Sequence, residues 1–379
     1  MTTSFPLTAS GTVMTATAII VDAAGNKSAE GTDSAKVDLS SLDGLSVSIT
    51  EDSNNDGFIN KSELVGTVGV EVKLPATAIA GDALTLTATG NASQTITLTQ
   101  PMIDAGKVVL ELIAPASGTE MHVTAQVKDP AGNASAIVSD TATIATDAAG
   151  APVVSITEDL NNDGFINKAE LNGDIGVSVS LGGTGAKAGD SLLVSVNGTA
   201  HTPVVLSAAD ITAGSVAISG VANPGEGATL SVSAQIKDIA GNLGATGSDS
   251  AVIDTTSYTG LAVVISEDEN DDGFISLAEL KDNDIDVRVT LPGGVAVGDS
   301  LTVTGSGNVE QTFKVTAAQI ATGHIDVAFN PTADNTDFVA TAKIVDAAGN
   351  NAGPVNDSAR LHLSAPGVPI VTIAEDSNN

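Results

Sequence analysis

Hydrophobic and polar residues alternate in short stretches along this chain, as they do in half-buried β-strands. One 106-residue section, 44–149, contains seven such stretches. They lie at 45–50, 68–74, 83–89, 95–99, 108–113, 121–128 and 136–144. The helical signals in it are two short ones, at 61–64 and around 101–105, and the latter has counterparts near 207–211 and 316–320. Neither kind is long enough to form a stable helix alone, so the pattern predicts an all-β protein.

The pattern recurs with a period near 108 residues. An Asp-x-Ala-Gly-Asn motif occurs at 22–26, 129–133, 238–242 and 346–350, and glutamates keep the same spacing at 51, 158, 267 and 375. Solenoid repeats are about 20 to 50 residues long, so a unit of this length is a small domain. Seven short strands per unit predict a tandem array of immunoglobulin-like β-sandwich domains.

The repeat borders divide the chain into five predicted segments. Residues 44–149, 150–257 and 258–366 are three full repeats, 1–43 is the C-terminal part of an incomplete one, and 367–379 begins a further truncated repeat. The neighbouring repeats of the same chain are the expected partners of each domain.

A twelve-residue polar stretch, 52–63, has the ligand spacing of an EF-hand calcium loop. Side-chain oxygens of Asp52, Asn54 and Asp56 occupy positions 1, 3 and 5, the Phe58 carbonyl position 7, Asn60 position 9 and Glu63 position 12. The two later repeats carry equivalent residues: Asp159, Asn161, Asp163, Phe165, Asn167 and Glu170, then Asp268, Asn270, Asp272, Phe274, Ser276 and Glu279. Three copies at equivalent positions of the repeat favour Ca²⁺ sites over acidic turns that bind no metal.

Each loop follows a predicted strand and not a helix, so we expect it to lock the first two strands of its sandwich rather than to act as a calcium switch. A fourth copy begins at Asp376 and Asn378 but has neither the glycine nor the closing glutamate. We do not expect this remnant to bind calcium well.

A second set of acids is predicted to meet at the domain junctions. In an immunoglobulin-like sandwich the turn before the third strand and the turn before the last strand lie at the same end, facing the incoming linker. These acids are Asp82, Asp129, Asp147, Asp190, Asp238, Asp254, Asp299 and Asp346. A second metal ion at each junction is one interpretation. The other is that Asp-x-Ala-Gly-Asn is simply a favourable hairpin turn.

The composition narrows the classes of partner. A formal net charge of −32 repels nucleic acid and anionic membranes, so neither is an expected partner. A hydrophobic content of 42% is nevertheless sufficient for folded cores, and bound divalent cations would neutralise the charge locally. There is no cysteine, which excludes disulfides and thiolate sites. We expect neither a signal peptide in the first residues nor a membrane span.

Acidic, cysteine-free tandem domains with Asp-x-Ala-Gly-Asn before the last strand resemble the extender repeats of large bacterial surface adhesins of the biofilm-associated, repeats-in-toxin type. The resemblance extends over essentially the whole chain. It implies export by type I secretion, an extracellular location on the bacterial surface, and calcium-stiffened repeats that project a distal ligand-binding region. It also implies that Asp129, Asp238 and Asp346 lie near domain junctions. The EF-hand-like loop inside each repeat departs from the family pattern.

Two other functions compete with this interpretation. An enzyme is disfavoured because His122, His201, His324 and His362 fall at non-equivalent repeat positions and no catalytic group recurs in every repeat. A module that binds glycan or another surface directly is the alternative, based on threonines that alternate along 84–89 and 95–99. With seven Phe, one Tyr and no Trp, stacking platforms for sugars are scarce, and threonine also simply suits strands.

Overall fold

Buried and exposed side chains alternate along the strands as the sequence predicts. The computed structural model describes residues 3–6 and 8–373. In strand Glu120–Lys128 the side chains of Met121, Val123, Ala125 and Val127 are buried, and those between them are more exposed. This period of two places one face of the strand on a core and the other toward solvent.

The described chain begins with a hairpin of two antiparallel strands, β1 (Val13–Ala18) and β2 (Gly31–Lys36). The first sandwich follows, with eight strands and one helix. They are β3 (Ser46–Ile49), β4 (Phe58–Asn60), β5 (Val68–Lys73), β6 (Ala83–Ala88), β7 (Gln94–Thr97), α1 (Gln100–Ala105), β8 (Lys107–Leu112), β9 (Glu120–Lys128) and β10 (Val138–Ala145).

Two further sandwiches repeat this order of elements. The second consists of β11 (Val153–Ile156), β12 (Phe165–Asn167), β13 (Ile175–Ser180), β14 (Ser191–Val196), β15 (Thr199–Ala200), β16 (Val204–Val205), α2 (Ala208–Ala213), β17 (Ser215–Val221), β18 (Thr229–Lys237) and β19 (Gly247–Asp254). The third consists of β20 (Ala262–Ile265), β21 (Phe274–Ser276), β22 (Ile285–Thr290), β23 (Ser300–Gly305), β24 (Gln311–Lys314), α3 (Ala317–Thr322), β25 (His324–Phe329), β26 (Asp337–Val345) and β27 (Asn351–His362).

Each sandwich has a three-stranded sheet packed on a five- or six-stranded one. In the first, the strand orders are β3-β5-β8 and β4-β10-β9-β6-β7, and the other two have the equivalent orders. The buried cores are separate, one running from Leu42 to Ile144, one from Val154 to Ile253 and one from Leu261 to Leu361. The predicted all-β class, a row of immunoglobulin-like sandwiches, is therefore confirmed, while the exact domain borders remain a prediction.

The structure adds one strand that the sequence pattern does not indicate. The chain crosses from the first sheet to the second within the predicted calcium loop, and β4 pairs in parallel with the last strand, β10. Three residues are too few to display an alternation, which explains why β4 was missed. The expected helix at 61–64 is instead a turn, in which the Leu64 N–H donates to the Asn60 carbonyl (3.0 Å).

The predicted helices near 101–105, 207–211 and 316–320 are confirmed as α1, α2 and α3. Two of them begin with a reciprocal capping box, Ser207 with Asp210 and Thr316 with Gln319. Among the described residues, no helix has the length and apolar character needed to cross a bilayer.

Candidate metal centres

The first loop, residues 52–63, is closed by hydrogen bonds from its backbone to its own side chains. The Asp52 carboxylate accepts from the N–H groups of Asp56 (3.0 Å) and Gly57 (3.0 Å), and Asn54 Oδ1 also accepts from the Asp56 N–H (2.8 Å). Gly57 adopts a φ of 85°, a conformation in which a side chain would be strained. This turn brings the side chains of positions 1, 3 and 5 together.

The other two loops have the same geometry. The N–H at position 5 donates to the side chains at positions 1 and 3 in both, from Asp163 to Asp159 (3.0 Å) and Asn161 (2.9 Å), and from Asp272 to Asp268 (3.0 Å) and Asn270 (2.9 Å). The position-6 glycines, Gly164 and Gly273, have φ values of 86° and 82°. Three separate stretches of sequence thus adopt one loop conformation.

The glutamate at position 12 folds back onto position 9. Glu63 Oε2 accepts from the Asn60 N–H (3.0 Å), and Glu170 with Asn167 (3.0 Å) and Glu279 with Ser276 (2.8 Å) repeat the contact. Asn60 Oδ1 accepts from the N–H groups of Ser62 (2.8 Å) and Glu63 (3.1 Å). The position-9 side chain therefore orders the turn that presents the closing glutamate.

The short strand β4 directs the position-7 carbonyl. The Gly57 carbonyl accepts from the Thr143 N–H of β10 (2.8 Å), and Phe58 pairs in register with Thr143. Because peptide groups alternate in direction along a strand, the Phe58 carbonyl points away from β10. Ile59, which follows, is fully buried and anchors the loop to the core.

The donor set of each loop suits a hard cation. Carboxylate, amide and carbonyl oxygens are the ligands that Ca²⁺ takes. The salt bridges formed by the described residues involve none of the carboxylates at loop positions 1, 5 and 12, so protein cations do not neutralise them. Within the described residues, no three His, Cys, Asp or Glu side chains lie close enough to hold a metal by themselves. A cation here would also need the asparagine and backbone oxygens.

A glutamate directly before each loop anchors it to the neighbouring strand. Glu158 accepts from the Gly176 N–H of β13 (2.8 Å), where a Cβ would lie 2.5 Å from Thr157 Oγ1. In the third sandwich Asp286 takes the place of this glycine and donates its N–H to Glu267. Burial raises the pKa of Glu267 to about 7, and the negative charge of Asp286 contributes to the shift.

The predicted junction acids of the first and second sandwiches line one cleft. Asp147, Asp190 and Asp238 surround a space of about 430 Å³. Asp190 is buried and accepts from the Lys187 N–H (2.7 Å). Both Asp238 oxygens accept from Asn242, one from its N–H (2.8 Å) and one from its side-chain amide (2.8 Å). The three acids line one cleft, and their own turns already supply hydrogen bonds to two of them.

At the next junction the acids surround a tyrosine. The Tyr258 hydroxyl donates to Asp299 Oδ2 (2.8 Å). Burial raises the pKa of Tyr258, as do this hydrogen bond and the charges of Asp299, Asp346 and Asp254. The negative charges of all three carboxylates therefore affect the Tyr258 hydroxyl.

At the junction before the first sandwich, one carboxylate oxygen has no partner. Asp82 is 1% exposed, its Oδ2 accepts from the Ile79 N–H (2.9 Å), and its Oδ1 is buried without a hydrogen bond among the described residues. The side-chain hydrogen bond from Asn133 holds the pKa of Asp129 below its usual value. The fourth loop remnant, with Asp376 and Asn378, lies outside the described residues.

Two sets of polar contacts were not anticipated from the sequence. The first joins the sheets, because a backbone N–H at the end of the first strand of each sandwich donates to an aspartate of the last strand: Ile49 to Asp140 (2.7 Å), Ile156 to Asp249 (2.8 Å) and Ile265 to Asp357 (2.8 Å). The constant spacing of these aspartates, 109 and 108 residues, was the signal that could have revealed them.

The second set holds the chain where it leaves the last strand of each repeat. One side chain in the preceding turn accepts from a linker N–H: Ser10 from Leu39 (3.0 Å), Ser117 from Thr146 (3.1 Å), Glu226 from Thr255 (3.0 Å) and Asp334 from Leu363 (2.8 Å). Because the residue type changes between repeats, the motif is hard to find in the sequence.

Comparisons with known proteins give one sequence match and several structural ones. The EF-hand family profile matches residues 159–173, which include the second loop. A search of curated proteins finds no match. The fold is similar to a tetra-tandem repeat from the extending region of a large adhesion protein, with 23% identity, 93% of this chain and 82% of that chain covered, and a TM-score of 0.34.

Two other solved structures are similar to this chain. The D1–D4 ectodomain fragment of ICAM-5 is 15% identical, with 93% of this chain and 83% of that chain covered and a TM-score of 0.40. The FN1–FN3 domains of chicken CNTN1 are 9% identical, with 79% and 96% covered and a TM-score of 0.29.

Proposed function

We propose that this chain is a calcium-stiffened structural spacer of a secreted bacterial surface adhesin, and that it projects a distal ligand-binding region away from the cell. The observation that carries the proposal is the shared conformation of three loops whose carboxylates at positions 1, 5 and 12 form no salt bridge among the described residues. The match of the second loop to the EF-hand profile supports the same metal. We propose no enzymatic activity.

Each loop would act as a lock between two sheets. The chain enters it from β3, in the three-stranded sheet, and leaves it in β4, at the edge of the other sheet. Asp52, Asn54, Asp56, the Phe58 carbonyl and Glu63 are the proposed ligands, with Asn60 contributing through water. A bound Ca²⁺ would neutralise these carboxylates and hold positions 1 and 12 together. Because a strand precedes the loop, no helix pair is available to open.

The stabilisation expected from bound calcium is large enough to affect whether a sandwich stays folded. Extracellular calcium modules bind with dissociation constants of about 10⁻⁴ to 10⁻³ M, and an ion at 100 times that concentration adds about 2.7 kcal/mol of stability per site. Three sites acting on separate sandwiches would therefore stabilise each one.

The test combines titration calorimetry with small-angle scattering on the full chain. We expect heat of calcium uptake, and a stiff rod in calcium that becomes a flexible string in chelator. The control is a triple variant with Glu63→Gln, Glu170→Gln and Glu279→Gln, which should stay flexible in both conditions. No heat of uptake together with unchanged dimensions would overturn the proposal.

We also propose a second cation at the junctions, where Asp147, Asp190 and Asp238 line one cleft. The buried, unbonded Asp82 Oδ1 at the equivalent position of the first sandwich supports it. A crystal structure of the calcium-loaded protein should show oxygens of Asp190 and Asp238 at coordination distance from one ion. Water at that position in an ordered junction would remove this part of the proposal.

A directly binding adhesive module remains the second candidate function, because the threonines do form a face on the larger sheet. The hydroxyls of Thr87 and Thr124 lie 2.5 Å apart, and those of Thr85 and Thr95 lie 3.5 Å apart. These hydroxyls bond each other, which reduces what they offer to a ligand. Screening the full chain on a glycan array distinguishes the two functions, because a specific hit would favour the adhesive module.

A further inference from the structure

The last residue of the Asp-x-Ala-Gly-Asn turn changes its partners along the chain. The side-chain amide of Asn26 donates to Asp22 of its own turn (2.9 Å). Asn133 keeps the equivalent bond and also donates to the Asp38 carbonyl of the preceding repeat (3.2 Å). The turn itself therefore needs only the first bond, and the second reaches across the junction.

In the next two repeats this asparagine also accepts a bond from the preceding calcium loop. Asn242 donates to the Ala145 carbonyl at the end of β10 (2.7 Å), while its Oδ1 accepts from the Lys61 N–H (2.8 Å). Asn350 donates to the Asp254 carbonyl (2.8 Å) and accepts from the Lys168 N–H (2.9 Å). Lys61 and Lys168 both occupy loop position 10.

These two asparagines are inaccessible, whereas the earlier ones are not. Asn242 and Asn350 are 6% and 7% exposed, whereas Asn26, whose side chain makes no hydrogen bond to another repeat among the described residues, is exposed. A buried amide left without partners costs about 1 to 3 kcal/mol, so the contacts to the loop are required once the junction has closed.

Position 9 strengthens the connection at the second of these junctions. The Asn167 side-chain amide donates to the Ala348 carbonyl of the next repeat (2.9 Å), and its Oδ1 accepts from the Glu170 N–H (3.1 Å). One side chain thus bonds both the closing glutamate of its own loop and the turn of the following sandwich. Lys168 Nζ adds a bond to Ser257 of the linker (2.7 Å).

We infer that calcium binding by a loop and closure of the junction that follows it are thermodynamically coupled through the asparagine of the next repeat. The inference rests on the proposed function of the loops. Positions 9 to 12 form one turn, which presents the glutamate on one side and the position-10 N–H on the other. Ordering this turn for either partner lowers the entropy cost of binding the other, and such coupling is reciprocal.

The third loop, residues 268–279, is an internal control for this coupling. In the described part of the chain, Ser276 and Leu277 make no hydrogen bond to another repeat, and Leu277 is 65% exposed. We therefore expect loops 1 and 2 to bind calcium more tightly than loop 3, whose position 9 is also a serine.

The test is calcium titration of this chain with Asn242→Ala, followed by NMR at the amides of Gly57, Gly164 and Gly273, which report the three loops separately. We expect at least about five-fold weaker binding at loop 1, the lower end of typical allosteric coupling, and no change at loop 3. Asn350→Ala should weaken loop 2 instead. Asn26→Ala, which alters the same turn at a position that bonds no calcium loop among the described residues, is the matched control and should leave all three loops unchanged.

The design separates loss of coupling from loss of folding. Loop 2 lies in the same sandwich as Asn242, so unfolding of that sandwich would abolish loop 2, whereas loss of coupling weakens loop 1 in the sandwich before it. Hydrogen exchange of the Lys61 amide in chelator checks the junction contact itself, and it should be faster in Asn242→Ala than in the wild type. Wild-type affinity at loop 1 in Asn242→Ala would overturn the coupling alone. A wild-type protein that takes up no calcium would overturn both proposals.

Discussion

Asp249 is a residue whose energetic role can be isolated. Its carboxylate accepts from the Ile156 N–H across the two sheets (2.8 Å), so Asp249→Ala leaves a backbone donor without its partner. A hydrogen bond to a charged group contributes about 1.5 to 3 kcal/mol, and we expect the second sandwich to lose stability in that range. Hydrogen-exchange mass spectrometry at β11 and β13 measures the loss.

The control for Asp249 is Ser248→Ala in the same strand. Ser248 is exposed and its side chain makes no hydrogen bond among the described residues, so this variant should be neutral. Equal protection of β11 in the two variants would show that the carboxylate contributes no stability there.

The Glu226 carboxylate should make the stability of one linker depend on pH. Hydrogen bonds hold the pKa of Glu226 below the usual value of about 4.5, and the one from the Thr255 side chain contributes most. A carboxylate whose pKa is lowered by folding stabilises the folded state above its unfolded pKa, and this contribution is lost as the pH falls through the folded pKa. We therefore expect the Thr255 amide to lose protection below about pH 4.5, as followed by NMR.

The first sandwich supplies the control for this titration. Ser117 holds the equivalent linker amide, that of Thr146, with a hydroxyl that does not ionise in this range (3.1 Å). The Thr146 amide should keep its protection over the same interval. Parallel loss at both amides would mean that the carboxylate of Glu226 is not responsible.

The local geometry of the loops was predictable from the sequence, because spacing and chemistry coincide there. The loop positions followed from the EF-hand pattern, and the structure gathers Asp52, Asn54 and Asp56 in one turn. The contact of Asn242 with the preceding repeat was not predicted, because its partner, Lys61, lies 181 residues away in the sequence. A local sequence pattern does not encode a contact between residues so far apart.

At the scale of elements, the loop depends on a backbone conformation that only glycine adopts without strain. Gly164 has a φ of 86°, and a left-handed residue with a side chain costs about 1 to 2 kcal/mol. We expect Gly164→Ala to weaken calcium binding at loop 2 by about ten-fold, measured by titration of the full chain.

Gly182→Ala is the matched substitution in the same sandwich. Its φ is outside the left-handed region, and its added Cβ would meet its nearest neighbour at 3.7 Å, so binding should not change. If Gly164→Ala bound calcium as tightly as Gly182→Ala, the loop conformation would not be required for binding.

The strands were predictable because burial follows their two-residue period, and the main exception is informative. β4 has three residues and lies inside a polar loop, so its hydrophobic signal is limited to Phe58 and Ile59. The parallel pairing with β10 is a contact over more than 80 residues, which periodicity does not encode. The crossing between sheets therefore became visible only in the structure.

At the scale of the whole molecule, the net charge of −32 predicts a response to salt. Self-repulsion destabilises a compact state, and added salt shortens the Debye length from about 10 Å at 0.1 M to about 3 Å at 1 M. In chelator the melting temperature should rise with sodium chloride, and the rise should be smaller in calcium. A calorimetric series in both conditions measures the difference, and a melting temperature that ignores salt in chelator would contradict this prediction.

The parallel pairing of β4 with β10 has a mechanical consequence. When the two ends of a sandwich are pulled apart, tension that has passed β3 and its pairing with β5 enters β4 at its first residue and leaves β10 at its last, in opposite directions along one axis. The rungs Phe58 with Thr143, Ile59 with Ile144 and Asn60 with Ala145 then share the load in shear and do not separate one by one. The loop between β3 and β4 lies in the path of that force, so a sandwich pulled at its two ends would resist extension at the place where its loop carboxylates are gathered.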